Sequence, residues 1–122
     1  MEILIDSSVQ RFLDKLANST KHEDRRLVAE IFHVFDLLKK HGSKLPMPYS
    51  RVIRGYQYRG IKLKELRISS HIELRIFYFF IKSEKICVLL HHSIEKSRKL
   101  SHHVYETAFK KILSDSFIPY EL

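Results

Sequence analysis

The stretch Ile72–Ile81, which reads IELRIFYFFI, decides the fold of this chain. Most of its residues are β-branched or aromatic, and such side chains are enriched on the pleated surface of a sheet. Apolar residues occupy both alternating sets of positions, which predicts a central strand that is covered on both faces. Arg75 interrupts the apolar run, and a charge inside a dry sheet needs a partner or a function.

The strand before this stretch carries Glu65 and Arg67, and the turn between the two strands sets their partners. A three-residue turn at Ser69–His71 would place Arg67 opposite Glu73 and Glu65 opposite Arg75, so that opposite charges face each other. A two-residue turn would place an apolar residue opposite a glutamate and is less favourable. The arginines then have two interpretations: mutually neutralised charges, or ligands for an anion.

The other segments predict, in chain order, a short strand, two amphipathic helices, a further strand or basic loop, a last strand and a final helix. These segments are Ile3–Ile5, Val9–Leu16, Leu27–Leu38, Arg51–Tyr58, Ile86–Leu90 and Val104–Leu113. Capping boxes that open at Ser7 and Thr20 predict where the first two helices begin, and Gly42 predicts where the second ends.

This order predicts the α+β class: an antiparallel sheet of about four to five strands, with an N-terminal helical hairpin packed on it and a C-terminal helix. We expect residues 1–114 to form a single domain. Residues 115–122 form a tail that docks on this domain or on a partner.

The charge balance indicates a polyanionic partner. The chain has 22 Lys and Arg against 14 Asp and Glu, a formal net charge of +8 and a pI near 9.7. Nucleic acid and an acidic protein both fit such a surface, and the alternative is a solvated basic surface with no specific ligand.

Cysteine and histidine usage bounds the chemistry. Cys87 is the only cysteine; it excludes an intrachain disulfide and is interpreted as a small core residue rather than a nucleophile. The eight histidines include the pairs His91–His92 and His102–His103, but neighbours on a strand point in opposite directions, and no closed zinc ligand set is evident. We therefore expect no metal or cofactor.

No apolar run approaches the roughly 20 residues of a membrane span, and we expect a cytoplasmic protein.

Four segments, in this order, resemble the RelE/HigB-like toxins of bacterial toxin–antitoxin systems, and among them the phage-derived HigB-type branch. They are Lys64–Arg67 (KELR), Leu74–Phe79 (LRIFYF), Val88–His91 (VLLH) with Lys96 after it, and Val104–Leu113 (VYETAFKKIL). The resemblance covers the chain from about Ile3 to Leu113 and implies a RelE-like fold.

The resemblance also implies a reaction and partners. Members of this family are mostly ribosome-dependent endoribonucleases that cleave mRNA when a ribose 2′-OH attacks the adjacent phosphate, without a metal ion. The reaction needs a group that takes the 2′ proton, cations that stabilise the phosphorane, and an acid for the leaving 5′ oxygen. The implied partners are a helix-turn-helix antitoxin, the ribosome and mRNA.

Family positions supply the candidate residues. Arg67, Lys96 and Tyr105 match catalytic positions of the family, and His91 or His92 is the candidate for proton transfer, with His92 assigned to the catalytic set. The RNA-binding candidates are Lys62, Lys64, Arg75, Arg98 and Lys99.

Each candidate has a structural alternative. Tyr105 lies on the apolar stripe of its helix, so a core ring fits it equally well. A histidine at this position can simply end a strand, and Lys96 can bind phosphate without taking part in chemistry. Glu95 departs from the family pattern and would repel RNA unless it acts as a base. The alternative function is a non-catalytic binding protein of the same fold: a ParE-like gyrase inhibitor, or a degenerate toxin that binds RNA or antitoxin.

Overall fold

A computed structural model describes residues 1–95, 102–113 and 117–120. In chain order, its main elements are β1 (Glu2–Asp6), α1 (Ser7–Ala17), α2 (His22–His41), β2 (Ser50–Tyr58), β3 (Ile61–Ser69), β4 (Glu73–Ile81), β5 (Ile86–Glu95), α3 (His102–Lys110) and β6 (Phe117–Pro119). Single 3-10 turns occupy Gly42–Lys44 and Lys111–Leu113. The predicted α+β class is confirmed, with a somewhat higher strand count than expected.

The strands form one sheet in the order β2-β3-β4-β5-β1-β6. All neighbours pair antiparallel except β1 and β5, which are parallel. Strand β4 lies inside this sheet, and its residues from Leu74 to Phe79 are all buried. The prediction of a central strand covered on both faces is confirmed.

The two faces of the sheet carry different helices. We call the face covered by α1 and α2 the hairpin face; Leu66 and Ile76 belong to its core, together with the apolar stripes of both helices. The opposite face, which carries α3, is the α3 face; Leu63 and Phe77 pack there with Ala108. Because successive side chains of a strand alternate between faces, each site residue can be assigned to one of them.

The predicted register of the β3–β4 hairpin is wrong. The turn spans residues 70–72 instead of 69–71, a shift of one residue along the chain. Arg67 pairs with Arg75 and Ser69 with Glu73, instead of Arg67 with Glu73. This slip moves each partner by two residues, so every apolar side chain stays on its predicted face. The facing arginines are accommodated because a Glu65 oxygen lies within 4 Å of both.

The predicted helix caps also need correction. Asp6, rather than Ser7, caps α1, and its carboxylate accepts a hydrogen bond from the Ser8 amide at 3.0 Å. Lys21 precedes α2 without any side-chain cap, where Thr20 was predicted to act. Gly42 does end α2, with φ of 56° and its N–H donating to the Leu38 carbonyl.

The C-terminal segment docks on the body of the protein. Strand β6 pairs with β1, so Ile118 lies opposite Ile5, and the Tyr120 amide donates to the Ile3 carbonyl at 2.8 Å. Segment Arg51–Tyr58 is a strand rather than a basic loop, with an irregularity between Val52 and Gln57. Within the described part of the chain, none of the helices is both long and apolar enough to cross a bilayer.

Candidate functional site

The structure divides the predicted site residues between the two faces of the sheet. The α3 face holds Arg67, Arg75 and Tyr105. The hairpin face holds Lys62, Lys64 and His92. The predictions for Lys96, Arg98 and Lys99 fall outside the described residues. One predicted catalytic pair, Arg67 and Tyr105, therefore shares a face, and His92 does not join it.

Arg75 lies at the centre of an ion-pair cluster on the α3 face. Its guanidinium lies 2.7 Å from Glu95, 3.2 Å from Glu73 and 3.8 Å from Glu65 (shortest N–O distances). The side chain is only 5% exposed. Buried charges of this kind are held by their partners, so the guanidinium that was predicted to bind RNA faces carboxylates instead of solvent.

Arg67 is the more open arginine of this cluster. Its Nε lies 3.7 Å from Glu65 Oε1, and its side chain is 34% exposed. Arg51 contacts the same oxygen at 3.3 Å. The other oxygen, Glu65 Oε2, is buried and has no hydrogen-bond partner among the described residues. Because the Arg67 ion pair is long and the side chain is partly exposed, the remaining N–H groups of its guanidinium can bind a phosphate.

The cluster is balanced in charge. Three arginines, at positions 51, 67 and 75, face three glutamates, at positions 65, 73 and 95. Glu73 and Glu95 pair directly across the β4–β5 ladder, where like charges repel. The Arg75 guanidinium bridges them, so the negative charge of Glu95 is neutralised within the fold.

Tyr105 lies on α3, half-buried above the sheet. Its ring centroid is 5.8 Å from that of Phe77, edge to face, and 5.8 Å from that of Tyr56. Phe77 lies two positions from Arg75 along β4 and pairs with Glu65 of β3, so the residue on which Tyr105 packs adjoins the arginine cluster. Tyr105 therefore packs against the α3-face core and is half-buried, and its catalytic role stays a prediction.

His91 and Lys111 form a second polar cluster on the α3 face. Lys111 Nζ lies 3.1 Å from His91 Nδ1, 3.1 Å from Ser8 Oγ and 3.4 Å from Asp6 Oδ2. A lysine ammonium only donates, so Nδ1 accepts and the ring proton sits on Nε2. Burial, together with the charge of Lys111, lowers the pKa of His91 to about 4. His91 is therefore a neutral ring with an Nε2–H to donate.

Asp6 anchors this cluster. Its carboxylate also accepts a short hydrogen bond from Ser8 Oγ. Burial acts to raise the pKa of Asp6, but the hydrogen bonds from Ser8 and the charge of Lys111 outweigh it and lower the pKa. Sequence reasoning missed this group because it placed the helix cap at Ser7. The available signal was an acidic residue at the strand-to-helix junction, where Asp is a preferred cap.

His92 lies on the hairpin face. Its ring stacks on Phe12 of α1 with centroids 4.1 Å apart. Its Nδ1 is buried and has no hydrogen-bond partner among residues 1–95, 102–113 and 117–120. Burial and then the charge of Lys111 lower its pKa. The histidine that shares a face with Arg67 and Tyr105 is His91.

Lys62 and Lys64 also face away from the arginine cluster. Lys64 pairs with Tyr78, whose side chain belongs to the hairpin-face core. Lys64 Nζ donates a hydrogen bond to the Ser43 carbonyl at 3.3 Å. The two lysines therefore lie on the opposite face of the sheet from Arg67, and their binding of RNA stays a prediction.

No three His, Cys, Asp or Glu side chains of the described segments are grouped so that they could hold a metal ion. Cys87 is fully buried, and burial raises the pKa of its thiol to about 12, as expected for a core residue.

The fold is broadly consistent with the RelE-like fold. A family model described as "Phage derived protein Gp49-like (DUF891)" matches residues 12–112, which is most of the chain. The protein belongs to this Gp49-like family, which is known for RelE-like toxins of toxin–antitoxin systems. No curated protein sequence matches the chain significantly.

Proposed function

We propose that this protein is a toxin of a toxin–antitoxin system, of the HigB-type branch, and that it cleaves mRNA on the ribosome. The observation that carries the proposal is the α3 face: Arg67 of β3 and His91 of β5 flank β4 on this face, and Tyr105 of α3 packs on Phe77 of β4. Family membership and the net charge of +8 support the same conclusion.

The proposed reaction breaks one phosphodiester bond and needs no outside reagent. The 2′ oxygen attacks the adjacent phosphorus and loses its proton, and the 5′ oxygen leaves and gains one. The products are a 2′,3′-cyclic phosphate and a 5′-hydroxyl end. Negative charge develops on the equatorial phosphate oxygens, and fixed donors aimed at them lower the barrier.

The residues of the α3 face have distinct roles in this proposal. Arg67 holds the phosphate through its open guanidinium. His91 donates Nε2–H to a phosphate oxygen as a neutral ring, since Lys111 occupies Nδ1. Tyr105 exchanges protons with the reacting oxygens or stacks on a base. Lys96 adds positive charge, and this role follows from the family resemblance alone.

Arg75 acts indirectly. It pairs with Glu95, the last residue of β5, and the cationic segment with Lys96, Arg98 and Lys99 follows immediately. We assign Arg75 to positioning this segment, rather than to contact with RNA.

The proposed partners are a helix-turn-helix antitoxin that covers the basic surface, the ribosome and mRNA, all in the cytoplasm. Neutralisation of the toxin would follow if the antitoxin blocks Arg67.

A specific observation favours a second candidate function. The described cations nearest Arg67 are matched one for one by glutamates, so the cluster contributes no net positive charge. A degenerate toxin that binds RNA or antitoxin without cleavage, or a ParE-like gyrase inhibitor, is compatible with such a face.

Mapping of mRNA 5′ ends after brief expression separates these functions. The nuclease predicts new ends inside translated codons, which disappear in Arg67→Ala protein. Intact messages with DNA damage would indicate gyrase inhibition, and intact messages without damage would indicate a binding protein.

A further inference from the structure

A basic groove lies on the hairpin face, at the end of the sheet away from Arg67. It is formed by the β2–β3 turn, strand β3 and the β4–β5 turn, and its volume is about 740 Å³. Its charged lining residues are Arg59, Lys62, Lys64, Lys82 and Glu84. Four cations against one carboxylate give the groove a net charge of +3.

These cations make no direct ion pairs with the described residues of the fold. In the part of the chain that the structure describes, none of the four lies within 4.0 Å of a carboxylate oxygen. The single carboxylate, Glu84, accepts a hydrogen bond from Ser43 Oγ at 2.7 Å. This contrasts with the arginines of the α3 face, each of which contacts at least one glutamate.

Lys64 is a partly desolvated cation in the lining of the groove. It is partly buried, and burial lowers its pKa. Its ammonium contacts the Ser43 carbonyl at 3.3 Å and lies 5.2 Å above the Phe80 ring centroid. The charge of Glu84 acts on this ammonium from beyond ion-pair distance and opposes the effect of burial. A partly desolvated ammonium without a carboxylate in direct contact gains from the arrival of an anion.

The shape of the groove favours a chain of phosphates over a single anion, since its cations come from three separate segments. An aromatic ring also lines it: Phe80 is half-buried, and its ring lies beneath the Lys64 ammonium. A partly exposed ring beside several cations suits nucleic acid, whose bases stack, better than an acidic peptide.

We propose that this groove binds the phosphodiester backbone of RNA, as a second contact separate from the α3 face. Lys62 and Arg67 lie on opposite faces of the sheet and five residues apart along β3, which is about 16 Å at 3.3 Å per residue. One reacting phosphate cannot contact both, so the groove holds a different segment. This proposal does not depend on cleavage.

The test is binding of a fluorescent 2′-O-methyl oligouridylate, which lacks the attacking hydroxyl and cannot be cleaved by the proposed reaction. The groove variant is Lys62→Gln with Lys82→Asn; asparagine suits the φ of 52° at position 82. The matched control, Lys15→Gln with Lys40→Gln, removes two exposed helix charges elsewhere. Circular dichroism checks that each variant is folded.

We expect the groove variant to lose about tenfold in affinity, and the slope of log K against log salt to fall by about 1.4, from about 0.7 per lost phosphate contact. The control should change less than about twofold. Equal losses in both variants would show a general charge effect and overturn the proposal. Unchanged RNA binding would also overturn it, and weakened binding of polyglutamate alone would assign the groove to an acidic protein.

Discussion

The guanidinium of Arg75 lies 2.7 Å from the carboxylate of Glu95, deep in the α3 face. This contact joins the central strand to the last residue of β5, directly before the cationic segment that begins at Lys96. The sequence places Glu95 as a departure from the pattern of the resembled family, and it was expected to repel RNA unless it acts as a base. Its charge is instead neutralised, so the departure is compatible with an anion site nearby.

The Arg75 contacts predict unequal effects on stability. Glu95→Ala removes a carboxylate that is 9% exposed, and we expect the free energy of unfolding to fall by about 1–3 kcal/mol. Glu73→Ala removes a partner of the same arginine that is 47% exposed, and should cost about 0–1 kcal/mol. Urea denaturation of both variants measures the difference. Equal losses would show that the Glu95 contact is not the stronger anchor.

Arg67 and Arg51 form a matched pair for activity. Both contact Glu65 Oε1, at 3.7 and 3.3 Å, and both are substantially exposed. We expect Arg67→Ala and Arg51→Ala to lose similar stability, about 0–1 kcal/mol. Growth arrest after expression should be lost only in Arg67→Ala. Arrest that survives Arg67→Ala, or that disappears equally in both, would remove Arg67 from the proposed catalytic set.

The His91 cluster predicts a pH dependence. Burial and Lys111 lower the pKa of His91 to about 4, so its ring signals in NMR spectra should not titrate between pH 5 and 8. Lys111→Met should move the pKa towards the ordinary value of 6.5, because a positive neighbour is removed. A pKa near 6.5 in the unaltered protein would contradict the Lys111 contact.

The sign of the linked stability follows from the same shift. Between about pH 4 and 6.5 the unfolded chain binds a proton at His91 that the folded chain does not, so stability rises with pH across this range. The stability that comes from a neutral His91 is fully present above pH 6.5 and is lost as the pH falls towards 4. Lys111→Met should flatten this part of the stability profile, as measured by thermal unfolding at several pH values.

Cys87 provides a test of the core. Burial raises the pKa of its thiol to about 12, and the thiolate is the reactive form. We expect iodoacetamide at pH 8 to leave the folded protein unlabelled and to label it in urea, as read by mass spectrometry. Rapid labelling without denaturant would show that the centre of the sheet opens readily.

Much of the fold could be predicted because the apolar pattern is strong. The IELRIFYFFI stretch has the composition of a strand covered on both faces, and the structure places it at β4. The hairpin register was less certain, since a slip of one residue in the turn keeps all apolar side chains on the same face. The predicted charge pairs involved only two strands. They could not include the ion pair between Glu65 and Arg51, because Arg51 lies on a third strand, β2.

The site was predicted less completely for the same kind of reason. His91 and His92 are adjacent in sequence, and only the register of β5 with β4 decides which one faces α3. Lys111 and Asp6 are 105 positions apart, so no local pattern connects them. Lys62 and Lys64 were predicted to bind RNA without regard to the face they occupy, and as even positions of β3 they face away from Arg67.

The most direct test of the central claim is cleavage of mRNA by purified protein in a reconstituted translation reaction. The account predicts messages cut within the translated region, with 2′,3′-cyclic phosphate and 5′-hydroxyl ends, and no cuts with Arg67→Ala protein of normal stability. Intact mRNA with the unaltered protein, or undiminished cleavage by Arg67→Ala, would contradict it.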